Sequence, residues 1–131
     1  MDKKPKLLDK KRVIICCDSP INQKILDQSI KGIEYEPYLE TNMVKLLAKI
    51  FMYEPKLVIL AHDSIISNIE FTRHIRNNPY FNDLPVICIS ETQKKENMSI
   101  KNKISSLNII SFTIPVNNLE LTKFIRQFLD N

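Results

Sequence analysis

The stretch Lys56-Leu57-Val58-Ile59-Leu60-Ala61 decides the fold, because five of its six residues are apolar and do not alternate with polar ones. Pro55 precedes it, and the polar run His62-Asp63-Ser64 follows at once. A short apolar run without alternation is typical of a parallel strand covered on both faces, since neither face meets water. We therefore predict a buried central strand, with a site just beyond Ala61.

Length and composition bound the class of protein. At 131 residues the chain is long enough for one domain with a real core and too short for two. No apolar run approaches the length that a membrane crossing needs. The start of the chain lacks the apolar segment and cleavage site of a secretory signal, so we expect a cytoplasmic protein that does not associate with a membrane.

The excess positive charge is concentrated at the start. Nineteen basic residues against 15 acidic ones give a net charge of +4. Residues 1–11 and Arg12 supply most of it, so we interpret residues 1–11 as a basic arm ahead of a domain over residues 12–131. Such an arm can touch nucleic acid or an acidic partner, although a solvated lead-in is the commoner role.

The cysteines, Cys16, Cys17 and Cys88, lie in apolar runs and not at metal-ligand spacing. An odd number argues against a secreted disulfide framework, so we predict free thiols. Cys16 and Cys17 are neighbours on a predicted strand and should point to opposite faces, which makes a disulfide between them sterically awkward.

Strands and helices alternate along the chain. The predicted strands are Val13–Cys17, Ile33–Leu39, Lys56–Ala61, Leu84–Ser90 and Asn108–Thr113. Apolar residues at helical spacing follow each strand in turn: Ile21, Ile25, Leu26 and Ile30; Met43, Leu47, Ile50 and Phe51; Phe71 and Ile75; Ile100, Ile104 and Leu107; Leu121, Ile125, Phe128 and Leu129. Right-handed crossovers between such repeats predict a doubly wound parallel sheet, with the site at the carboxyl ends of the strands.

Several residues mark the ends of these elements. Asp18-Ser19-Pro20 is a capping signal for the first helix, and Gly32, the only glycine, should end it. Pro37 confines the second strand to an edge of the sheet. Thr41 is the predicted cap of the second helix, and Asn78-Pro79 should break the third.

Four blocks carry a family likeness in the right order and spacing: Val13–Leu26, Pro55–Ala61, Leu84–Ser90 and Ser111–Pro115. Together they resemble a response-regulator receiver domain, the CheY-like module of two-component phosphorelays, from Arg12 to Leu129. The resemblance implies an α/β, flavodoxin-like (βα)5 fold with strand order 2-1-3-4-5. It also implies first and fifth helices on one face of the sheet and the other three on the opposite face.

The chemistry that the resemblance implies is the transfer of a phosphoryl group from a kinase histidine to an aspartate. Ala61 stands at that acceptor position, and Ile114 stands where the family has a lysine. Cys17 replaces the first residue of the acidic pair, so that only Asp18 remains, while Ser90 keeps the hydroxyl. The chain therefore resembles a degenerate pseudo-receiver that is neither phosphorylated at the usual site nor an enzyme.

Two carboxylates, Asp18 and Asp63, remain near this predicted site. Together they could hold Mg²⁺ weakly, but a helix cap and a solvated loop residue are the commoner roles, so we expect no cofactor. By the family resemblance, Asn68 stands at a glycine position of the family's loop, which asparagine tolerates because it enters the left-handed region readily. His62 and His74 are interpreted as structural and solvent-facing, since no nucleophile elbow accompanies them.

Two classes of function are compatible with these residues. The first is a receiver-like module that acts by protein–protein interaction without phosphorylation. Ser111, at the position of the family's switching aromatic, favours one dominant conformation for such a module. The alternative is a small-ligand or redox sensor that reuses the vacated pocket, with Cys17 as its reactive group.

A cationic surface is predicted beside the closing helices. It comprises Lys94, Lys95, Lys101, Lys103, Lys123 and Arg126. These residues border the fourth helix, fifth strand and fifth helix, the docking face that the family resemblance implies. No aromatic residues interleave with the lysines to stack bases, so a protein partner or a second copy of the chain is favoured over nucleic acid.

Overall fold

The computed structural model describes residues 13–17, 24, 26–28, 30, 32–39, 42–62, 64–91, 98–114 and 118–129, with the backbone alone at 91, 113, 114 and 118. Its strands are β1 (Val13–Cys17), β2 (Glu36–Tyr38), β3 (Leu57–Ala61), β4 (Val86–Glu91) and β5 (Ile109–Ile114). Its helices are α1 (described at residues 24 and 26–28), α2 (Met43–Tyr53), α3 (Ile65–Arg76), α4 (Met98–Ser106) and α5 (Asn118–Leu129). The basic arm predicted at residues 1–11 lies outside the described residues.

The five strands form one parallel sheet in the order β2-β1-β3-β4-β5. This confirms the predicted strand order. β3 lies at the centre, and its pairing with β1 runs from Val13 opposite Leu57 to Cys17 opposite Ala61. Every residue of both strands is buried, as expected where helices cover both faces.

β2 is an edge strand, as Pro37 predicted, but it is shorter than the seven residues from Ile33 to Leu39. Pro37 pairs with Ile15 in the middle of the three-residue strand. A proline has no N–H to donate, so it is tolerated where one side of the strand has no neighbour. Lys49 of α2 reaches this edge and forms an ion pair with Glu36 at 2.7 Å.

Two apolar layers cover the sheet. One layer packs α2, α3 and α4 against strand residues that include Cys16 and Cys88. The other packs α1 and α5 against residues that include Cys17 and Ile89. The predicted division of the helices and the opposite orientation of Cys16 and Cys17 are therefore confirmed.

Two predictions about local backbone structure were wrong. The cap of α2 is Asn42 and not Thr41, because the Asn42 side chain accepts the Lys45 N–H at 3.0 Å. Asn68 lies within α3, so it has no left-handed backbone. Among the described residues other than glycine, Glu54 and Asn108 have positive φ, at 47° and 54°.

The inner face of α2 also differs from the prediction. Leu46 and Ile50 are its buried residues, whereas Phe51 is 64% exposed and packs edge-on against Tyr80 and Phe81. Successive helical residues are turned by about 100°, so Phe51 cannot share the inward direction of Ile50. Apolar residues occur around much of this helix, which is why spacing alone misplaced Phe51.

None of the described helices is long and apolar enough to cross a membrane. The cap residues Asp18-Ser19-Pro20 proposed for α1 lie outside the described residues. Gly32 has a φ of 79°, in keeping with its predicted role at the end of that helix.

We expect Ile50→Ala to lower the free energy of unfolding by about 3 kcal/mol, because it removes most of a fully buried side chain and leaves a cavity. The neighbouring change Phe51→Ala should cost only about 1 kcal/mol, since it removes mainly edge contacts between aromatic rings. Urea denaturation of the two variants measures the difference. Equal losses of stability would contradict an orientation of α2 in which Ile50 faces the sheet and Phe51 is exposed.

Candidate functional site

The carboxyl ends of the strands bring several of the predicted site residues together. Cys17 and Ala61 are paired neighbours on β1 and β3, and both are buried in the layer that α1 and α5 cover. Ser90 lies near the end of β4 and is also buried. Ile114 ends β5, where its backbone pairs with that of Glu91. Asp18 and Asp63 lie outside the described residues.

The described side chains at this edge do not fit Mg²⁺. Ala61 presents a methyl group, and Cys17 presents a buried thiol, which is a softer donor than this ion prefers. Ser90 contributes a single hydroxyl oxygen. Among the described residues, no group of three or more histidine, cysteine, aspartate or glutamate side chains is placed to hold a metal ion.

His62, which follows β3 directly, is buried and fully engaged by its neighbours. Its backbone N–H donates to Asn68 Oδ1 at 3.0 Å, and its Nδ1 lies 2.7 Å from the same oxygen. Because an amide oxygen can only accept, Nδ1 carries the proton, which leaves Nε2 to accept from the Cys16 thiol at 3.5 Å. The ring also stacks on Phe71 at a centroid distance of 4.6 Å. These contacts support the structural role assigned to His62.

Asn68 on α3 forms hydrogen bonds with residues at the ends of two strands, β3 and β4. Its side chain is fully buried, and its Nδ2 donates to the Ile89 carbonyl on β4 at 3.3 Å while its Oδ1 accepts from His62. The next turn of α3 continues the polar contacts, since the Thr72 hydroxyl donates to the Asn68 carbonyl at 2.8 Å. We call His62, Asn68 and Thr72 the polar brace.

The polar brace was not predicted, although the sequence contains a signal for it. Asn68 and Thr72 are four residues apart and share the α3 face that also carries Ile65, Ile69 and Phe71. Polar side chains on an otherwise buried helix face need hydrogen-bond partners. That requirement points to a neighbouring polar group such as His62.

All three cysteines are buried thiols that form no disulfide. Burial raises the pKa of the Cys88 thiol to about 12, although a hydrogen bond with Thr72 and the charge of Arg76 both act to lower it. A buried thiol with a raised pKa is a poor nucleophile because little thiolate forms near neutral pH.

The predicted cationic surface is divided by the structure. Lys101 and Lys103 are exposed on α4, and Lys123 is exposed on α5. Arg126 is exposed too, but its guanidinium lies beside Gly32, at 3.2 Å from where a Cβ on that glycine would stand. Arg126 therefore extends toward the residues that follow α1. Lys94 and Lys95 lie outside the described residues.

No family model matches the sequence, and no curated protein matches it. Solved structures do match. The chemotaxis protein CheY4 of Vibrio cholerae is 15% identical, with a TM-score of 0.67 over 90% of this chain and 98% of that chain. A CheY-like protein, tadZ, of Pseudomonas aeruginosa is 14% identical, with a TM-score of 0.69 over 90% and 99%.

A third match is the signal receiver domain of a signal transduction histidine kinase from Syntrophus aciditrophicus. It is 16% identical, with a TM-score of 0.67 over 90% of this chain and 89% of that chain. This chain has the CheY-like receiver fold. The likeness at these identities concerns the fold, and it agrees with the resemblance that the four sequence blocks predicted.

In this receiver fold we expect Asn68→Leu to lower the free energy of unfolding by about 3 kcal/mol. The leucine is similar in size, but it leaves the His62 N–H groups and the Ile89 carbonyl buried without this partner. His74→Leu on the exposed side of the same helix serves as the control, and it should change stability by no more than about 0.5 kcal/mol. Thermal and urea denaturation measure both variants. A neutral Asn68→Leu would show that the polar brace does not hold the strand ends.

Proposed function

We propose that this chain is a receiver-like signalling module that acts by binding another protein and is not phosphorylated at the usual site. The observation that carries the proposal is Ala61. It occupies the carboxyl end of the central strand, where the family resemblance puts the phosphoacceptor, and it is buried beside Cys17. A methyl group cannot attack a phosphoryl group, so the covalent step has no nucleophile there.

The residue at the end of β5 supports the same conclusion. Ile114 stands at the position of the family's lysine, so no cation is supplied to meet the charge of a transferred phosphoryl group. Loss of both the nucleophile and the cation is harder to compensate than loss of one. We propose that the module has no enzymatic activity of its own, needs no cofactor and works in the cytoplasm.

The solved structures support the signalling role at a general level. Their names describe a chemotaxis protein, a CheY-like protein and a signal receiver domain of a histidine kinase. We propose the same general role here: the chain is a part of a two-component phosphorelay. In this proposal the chain itself has lost the phosphorylation step and kept the docking step.

The surface that we propose for docking comprises α4, β5 and α5. The inward residues of α4 and α5, such as Ile104 and Leu121, direct Lys101, Lys103 and Lys123 toward solvent. Exposed cations on both helices suit a partner with an acidic surface. A protein partner is favoured over nucleic acid because no exposed aromatic side chain accompanies these lysines for stacking.

The alternative function, a ligand or redox sensor built on Cys17, has less support. Cys17 is fully buried in the apolar layer under α1 and α5, and a redox-active cysteine must be accessible. No observation favours the alternative over the docking module.

The test measures binding with and without a phosphoryl donor. The purified chain is cross-linked to its partner in cell extract, the partner is identified by mass spectrometry, and the dissociation constant is then measured with and without acetyl phosphate and Mg²⁺. We expect the mass of the chain and the dissociation constant to stay unchanged. An acyl phosphate on the chain, or a dissociation constant that depends on acetyl phosphate, would contradict the proposal.

Charge reversal locates the surface in the same assay. Lys101→Glu combined with Lys103→Glu should weaken binding by about tenfold or more, and wild-type binding should weaken with added salt, because exposed charges are screened over about 10 Å. Lys24→Glu, on the exposed side of α1, is the control and should bind like the wild type. Retained binding by the double variant would place the interface elsewhere.

A further inference from the structure

The outward face of α2 is apolar along its length. Val44 and Met52 are 76% and 60% exposed, and Ala48 and Phe51 are exposed between them. Lys45 is the one charged residue in the same outward arc of this helix. Helix faces that meet water are ordinarily polar, so an apolar face of this extent indicates a surface that another molecule covers.

Neighbouring elements extend this apolar surface on both sides of α2. Tyr80, which follows α3, is 81% exposed and packs edge-on against Phe51 at a centroid distance of 6.2 Å. On the other side, Leu39 at the end of β2 lines a groove with Ala48 and Met52. We call this surface, formed by Leu39, Val44, Ala48, Phe51, Met52 and Tyr80, the α2 patch.

We propose that the α2 patch binds the α2 patch of a second copy of this chain, with the two helices antiparallel across a twofold axis. The spacing of Val44, Ala48 and Phe51, by four and then three residues, is that of a helix–helix seam. Ala48 lies in the middle, and its small side chain lets two helices approach closely. A twofold axis at Ala48 brings Val44 of each copy against Phe51 of the other.

The fit between the two copies follows from the sizes of these side chains. Val44 lies about 6 Å from Ala48 along the helix in one direction, and Phe51 lies about 4.5 Å from it in the other. Under the twofold axis, the smaller Val44 side chain meets the aromatic pair of Phe51 and Tyr80. A large group therefore faces a small one on each side of the Ala48 contact.

The charges around the α2 patch allow two copies to meet. Among the described residues near its rim, cations and anions are equal in number, three of each: Lys45, Lys49 and Lys56, with Glu36, Glu54 and Asp83. The described surface of α4 and α5, in contrast, presents Lys101, Lys103 and Lys123 against Glu120, so two copies would meet there with positive charge in excess and repel each other. Self-association therefore favours the α2 patch, which leaves the cationic surface available to a different partner.

The extent of the patch is suited to a modest dimer. Stable interfaces bury about 800 Å² on each partner, and the largest exposed apolar patch of an ordinary monomer is about 300–600 Å². The five large apolar side chains of the α2 patch are each at least 46% exposed. Their combined exposed area is of the same order as these two areas. We expect the dimer to form in the micromolar range of concentration.

Sedimentation velocity over a range of protein concentrations tests the proposal. The wild-type chain should dimerise, and Ala48→Glu should raise the dissociation constant by about 30-fold or more, because it places two carboxylates at the twofold axis. Leu119→Glu is the matched control, since it introduces the same charge at an exposed apolar residue on α5, and it should dimerise like the wild type. Both variants should keep the wild-type melting temperature of the monomer, as both sites are exposed.

Two results would overturn the proposal. The first is a wild-type chain that remains monomeric up to about 1 mM, and the second is a dimer that is lost in Leu119→Glu and kept in Ala48→Glu.

Engineered cysteines test the antiparallel arrangement separately. Helix axes about 8–10 Å apart place the two Ala48 Cα atoms within about 6 Å of each other, so Ala48→Cys should form an intermolecular disulfide on mild oxidation. The two Val44 residues are then about 12 Å apart along the helices, so Val44→Cys should not. The native cysteines do not interfere, because all three are buried. Equally efficient cross-linking of both variants would contradict an antiparallel pair.

Discussion

The side-chain amide of Asn68 is the interaction on which the site end of this fold depends. It accepts hydrogen bonds from His62 at the end of the central strand and donates one to the Ile89 carbonyl on the next strand. All of these groups are buried, so breaking the amide's contacts would leave several polar atoms without partners in a dry environment. The ends of β3 and β4 are thus joined by groups that belong to the chain itself.

The polar brace lies on the face of the sheet opposite Cys17 and Ala61. Ala61 and Cys17 contribute to an apolar layer, and the nearest histidine is held away from that layer by Asn68, Phe71 and Cys16. We propose that a module of this kind keeps a docking surface on its helices, while Ala61 offers no phosphoacceptor at the strand ends.

Much of the fold could be predicted from the sequence, because buried parallel strands have a simple signature. The apolar runs at Val13–Cys17 and Leu57–Ala61 could be read directly, and the helical spacing between strands determined the doubly wound topology. The positions of Cys17, Ala61 and Ser90 followed from the ends of these strands. The predicted ligands Asp18 and Asp63 lie outside the described residues and stay predictions.

The residues whose positions were predicted wrongly share a physical cause. Each fits more than one local sequence pattern, and only tertiary contacts decide which structure forms. Phe51 fits an apolar helical spacing, yet α2 is apolar on several sides and only the face with Leu46 and Ile50 meets the sheet. Asn68 was assigned to a loop because the family resemblance puts a loop glycine at its position, and its hydrogen-bond partner on β4 lies 21 residues away in the sequence. Thr41 and Asn42 are both good capping residues, and only the backbone geometry selects Asn42.

We propose that the polar brace holds this receiver fold in a single conformation that a phosphoryl donor does not shift. The most direct measurement is NMR of the amide groups of His62, Ser90 and Ser111, with relaxation dispersion, before and after addition of acetyl phosphate and Mg²⁺. We expect unchanged chemical shifts and no exchange broadening on the microsecond to millisecond timescale. A second populated state at the end of β4 and in β5, or one induced by the phosphoryl donor, would contradict the claim.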